Sequence, residues 1–61
     1  MFIVIFKRRD NKPDEEYYYH TKEEATGHID LFINDDSGLY DEIDLVEWKD
    51  DLNIISSLKF N

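Results

Sequence analysis

The chain has 61 residues, 15 of them acidic and 7 basic, giving a formal net charge of −8, and it has no cysteine. A chain this short buries only roughly 60% of the surface it exposes when unfolded, which points to one domain of marginal stability. Without thiols it makes no disulfide and no thiolate metal centre, two histidines are too few for a structural zinc, and no cofactor is expected.

Met1 to Phe6 is apolar but spans only six residues, and its basic neighbours Lys7, Arg8 and Arg9 follow the run, where a signal peptide would place them ahead of it. Neither a signal nor a membrane span is expected, and a cytoplasmic location follows. Phe2 to Arg9 reads as a first strand, with Phe2, Val4 and Phe6 on one face and Ile3 and Ile5 on the other. Apolar residues on both faces place it centrally in a sheet. Asp10 to Asp14 is a turn cluster containing Pro13, and Glu15 to His20 resumes as a second strand, so the simplest connection is a hairpin.

Thr21 followed by Glu24 has capping-box spacing, which starts a helix near Lys22. Ala25, Ile29, Phe32 and Ile33 fall on one helical stripe and form its packing face. Gly27 interrupts it, either for close approach to the sheet or as a weak point costing about 1 kcal/mol relative to alanine. Asn34 to Gly38 ends the helix. Tyr40 to Glu47 reads as a strand with a bulge or a change of face, although a short helix also fits its mixed parity. Lys49 to Asp51 is a turn, and Leu52 to Phe60 alternates with period two as the last strand.

These elements predict an α+β fold: a small two-layer ββαββ domain over residues 1–61, with a mainly antiparallel four-stranded sheet and one helix on one face. The expected core is Phe2, Val4, Phe6, one tyrosine parity, Ala25, Ile29, Phe32, Ile33, Ile43, Leu45, Ile54, Leu58 and Phe60. The other sheet face then carries Ile3, Ile5, Ile55, Trp48 and either Tyr18 or the pair Tyr17 and Tyr19. Left open, it would be a larger apolar patch than a monomer normally tolerates, and therefore a binding or dimer surface.

Charge is unevenly spread. Residues 1–12 hold four basic residues against Asp10, whereas residues 13–58 hold 14 acids against Lys22 and Lys49. The acidic body repels phosphate backbones and attracts cationic proteins. Its carboxylates could imitate nucleic-acid phosphates in the basic groove of a nuclease or other nucleic-acid-binding protein, or simply keep the chain soluble. An EF-hand reading fails, because setting Gly38 as the loop glycine puts Ile33 at the first ligand position. Lys7, Arg8 and Arg9 beside Tyr17, Tyr18 and Tyr19 could form a nucleic-acid platform, but the net charge disfavours direct binding.

His20, His28 and the serines form no catalytic motif, and a domain with one helix has little interior for a pocket, so no enzyme activity is expected. The reading is a non-enzymatic module that binds a protein with a basic surface, or itself, through the open sheet face. Trp48, Tyr17, Tyr19 and Ile55 are the expected anchors, with Glu23, Glu24, Asp30, Asp35 and Asp36 as the electrostatic complement. A nucleic-acid mimic is its sharper form. The alternative is a small regulator that binds nucleic acid through the basic hairpin and the tyrosines.

Overall fold

The computed structural model describes residues 1–60. Its elements are β1 (Phe2–Arg8), β2 (Glu15–Tyr19), α1 (Lys22–Asp30), β3 (Tyr40–Trp48) and β4 (Leu52–Lys59). The four strands form one antiparallel sheet in the order β2-β1-β3-β4, with one helix, as the ββαββ reading expects. β1 is central, and its double-sided apolar character fits that place. Residues 40–48 are strand throughout.

Helix α1 starts where the cap signal puts it. Thr21 is extended, with φ −118° and ψ 153°, and the Glu24 backbone N–H donates to Thr21 Oγ1 at 3.2 Å. The Thr21 hydroxyl in turn donates to Glu24 Oε1 at 3.1 Å. The helix ends at Asp30, earlier than its stripe suggests. Phe32 still packs on the core, because its N–H reaches Ile29 O at 2.9 Å and the chain tightens into a last turn. Ile33 is in the same turn, its N–H 3.5 Å from Asp30 O, but the tighter winding takes it off the helical stripe and leaves it 54% exposed, so it is not core as expected. A Cβ at Gly27 would meet no atom within 4 Å, which removes close approach as the reason for that glycine.

Val4, Phe6, Ala25, Ile43 and Leu45 form the buried centre, with Phe2, Tyr19, Ile29, Phe32, Tyr40, Leu58 and Phe60 packed around it. Two bulges set this membership. Lys7 pairs with Glu42 but Arg8 pairs with Tyr40, leaving Asp41 as an extra residue in β3. That insertion returns Tyr40 to the helix side despite its parity. Leu45 pairs with Ser56 but Val46 with Ile54, leaving Ile55 extra in β4. Ile54 is thereby moved out of the expected core and is 67% exposed, whereas Leu58 stays inside.

The helix packs over β1, β2 and β3 and not over β4. Consequently every residue of β4 except Leu58 is exposed.

Candidate functional site

The sheet face opposite the helix is uncovered. Strand pairing puts Ile3 between Tyr18 of β2 and Val46 of β3, and side chains directly opposite across a ladder share a face. Ile3 and Val46 are buried, whereas Tyr18, Trp48, Leu52 and Ile54 remain exposed around them. Together they line a shallow groove of about 640 Å³ whose rim carries Asp14, Glu16, Asp44 and Lys7.

The register corrects the expected anchors. Tyr17 pairs with Val4 and Tyr19 with Phe2, so both tyrosines are carried to the helix side. The Tyr17 ring meets His28 at 4.7 Å and Phe6 at 5.6 Å between centroids. The Tyr19 hydroxyl lies 2.7 Å from His28 Nδ1. Neither side chain lies on the open face; Tyr18 does, with its hydroxyl donating to Glu16 Oε1 at 3.0 Å. Trp48 stands where expected and is half exposed. Ile55, as the bulge residue, is outside the groove, and its neighbour Ile54 lines it instead. Leu52, Ile54, Val46 and Asp44 are groove residues that sequence reasoning missed; a regular alternation through β4 assigns Leu52 and Ile54 inward.

The expected electrostatic complement is spread out. Glu23 and Glu24 occupy the first turn of α1, where they favour the helix dipole, and Asp30 is its last residue. Asp35 and Asp36 follow in the loop before Gly38, which has a φ of 74°. All five are on helix-side segments, so none rims the groove. Among the described residues, no group of acidic or histidine side chains has the arrangement of a metal site.

The groove has its own charged cluster. Lys7 Nζ lies 3.3 Å from Asp44 Oδ2 and 3.4 Å from Glu42 Oε2. The Asp44 side chain is only 4% exposed. Burial pushes its carboxyl up, but hydrogen bonding with Glu42 and Ser57 and the Lys7 ammonium outweigh this and hold it below the ordinary value. Asp44 Oδ1 nevertheless has no partner in strict hydrogen-bond geometry.

Arg8 and Arg9 of the hairpin are also engaged. Arg8 pairs with Glu15 at 2.6 Å and with Asp10 at 2.5 Å, and Arg9 pairs with Asp41 at 2.6 Å. The Arg8 guanidinium also lies 5.6 Å from the centre of the Tyr40 ring. These contacts hold Asp10 and Glu15 below their ordinary carboxylate values, chiefly through hydrogen bonds from Arg8. No helix of the described residues is long and apolar enough to cross a membrane. Comparison with protein-family models, with curated proteins and with solved structures returned no match for this chain.

Proposed function

We propose that this chain is a non-enzymatic interaction module whose open sheet face binds a protein segment carrying apolar side chains beside a cation. The observation that carries the reading is the exposure of Trp48, Leu52 and Ile54, at 50%, 65% and 67%, around the buried floor of Ile3 and Val46. Exposed aromatic and aliphatic groups clustered in a groove are what anchors of a protein contact look like before the partner arrives. The rim gives the charge preference. Asp14, Glu16 and Asp44 outnumber Lys7 there, and Lys7 is already paired, so the rim favours an incoming lysine or arginine.

The same ion pairs weigh against the nucleic-acid alternative. Lys7, Arg8 and Arg9 are each held by carboxylates of this chain, and Tyr17 and Tyr19 make edge-on contacts with Phe6 and His28 on the helix side, away from the Lys7 side chain, which weighs against a shared platform. Mimicry of nucleic acid is a second reading, supported by the exposure of Glu23, Glu24, Asp30 and Asp36 on helix-side segments. The partner would then be the basic groove of a nucleic-acid-binding protein.

The test is capture from a native lysate at low and high salt, with mass spectrometry and a nucleic-acid stain, comparing the wild type with Trp48→Ser/Ile54→Ser and Glu23→Gln/Glu24→Gln. Loss of the captured protein in the first variant alone supports the sheet face. Loss in the second alone transfers the function to the acidic helix. Capture that both variants retain, or recovery of DNA or RNA, overturns the proposal.

A further inference from the structure

The two edges of the sheet are built differently. β2 is five residues long, opens with Glu15 and Glu16 and follows Pro13. Shortness, charge and proline are the devices that keep a strand edge from pairing with another chain. β4 is eight residues long, and from Leu52 to Leu58 it has no charged residue and no proline. No strand pairs with its outer side, no helix covers it, and all but Leu58 of its residues are exposed. In a chain of net charge −8 this edge has neither charge nor proline from Leu52 to Leu58, and its one irregularity is the bulge at Ile55.

We infer that β4 is a pairing edge for a second copy of this chain, joining two sheets into one through an antiparallel β4–β4 contact. The charges flanking the strand choose this occupant. Asp50 and Asp51 precede it and Lys59 ends it. An antiparallel pair centred at Ile55 sets Lys59 of each copy opposite Asp51 of the other, with Asp50 next to it, so both ends of the contact are complementary. The middle is neutral, so two acidic bodies meet where neither carries charge. The bulge at Ile55 sharpens the local twist, and a two-fold partner carries the same bulge and twist. The pairing leaves both groove faces uncovered and places them side by side. It therefore stands independently of what the sheet face binds.

The experiment is analytical ultracentrifugation of the full chain over a wide concentration range, read with hydrogen exchange of β4. The expected result is a mass that doubles with concentration, together with slower exchange of amides in residues 52–58. A residue on the two-fold axis meets its own copy, so Ile55→Asp and Ile55→Lys each remain monomeric while an equimolar mixture restores the doubled mass. Trp48→Ala leaves dimerisation unchanged. A wild type that stays monomeric at every concentration, or exchange in β4 that ignores concentration, overturns the inference even if the Ile55 variants fail to fold. A dimer abolished by Trp48→Ala but not by Ile55→Asp moves self-association to the sheet face and overturns it equally.

Discussion

On the helix side of the sheet, Phe6 is enclosed by Tyr17, His28, Phe32 and Tyr40, with ring centroids 4.9 to 5.6 Å away. On the other side, Ile3 and Val46 are buried by neighbours in the sheet itself, and Trp48, Leu52 and Ile54 stand open to water. Both faces are apolar, and they differ in what finishes them. Edge-on aromatic contacts close the first, each worth about 0.5–1.5 kcal/mol beyond area burial. A lysine clasped between two carboxylates borders the second. One face holds the fold together, and the other has its side chains available for contact.

The contrast breaks most directly at Phe6. Phe6→Ala should cost about 3–5 kcal/mol, much of the stability of a domain this size, whereas Ile54→Ala on the other face should change it by less than about 0.5 kcal/mol. Urea unfolding of the two variants makes the comparison. Equal losses would mean that the open face contributes to the fold as much as the helix side.

Lys7 gives the next largest effect, and its sign depends on pH. In the wild type, Asp44, Glu15 and Asp10 have lowered pKa values, so their stabilisation is present above the ordinary carboxylate range and is lost as pH falls below about 4. The Lys7 value is raised, through hydrogen bonding and charge from Asp44 and then Glu42, so its part is lost only at strongly alkaline pH. Lys7→Met leaves Asp44 buried beside Glu42 without a cation, which raises the Asp44 pKa. The variant should be destabilised at pH 7 and should recover relative to the wild type on mild acidification, as thermal unfolding across pH would show. A deficit independent of pH would indicate lost packing of the lysine stem.

The smallest effect sharpens the picture of the covering layer. Gly27→Ala should stabilise by about 1 kcal/mol, since the added methyl meets nothing within 4 Å and helix propensity alone decides. Helical circular dichroism and the urea midpoint should both rise.

The sequence of elements along the chain, the helix start and the centrality of β1 were legible because local chemistry encodes them: Thr21 and Glu24 cap, and Ile3 and Ile5 require cover on a second side. The tyrosine faces were not, because Tyr17-Tyr18-Tyr19 has the same side chain on both parities and only pairing with Phe2 and Val4 decides between them. Ile54 was misplaced for a related reason. A bulge is a property of two strands, and period-two counting along β4 cannot register that Leu45 and Val46 face Ser56 and Ile54. Asp44 escaped notice as one acid among many; its burial follows from lying between Ile5 and Ser57 in the assembled sheet.

The central place of β1 also orders events in time. Its hairpin with β2 closes locally, but its other side waits for residues 40–48, which arrive from across the helix and loop. Joining β1 to β3 is therefore the long-range step of assembly, and substitutions along that seam should slow folding, as stopped-flow refolding would show. Changes in β4, which docks onto β3 through a short turn, act mainly on how fast the native state opens.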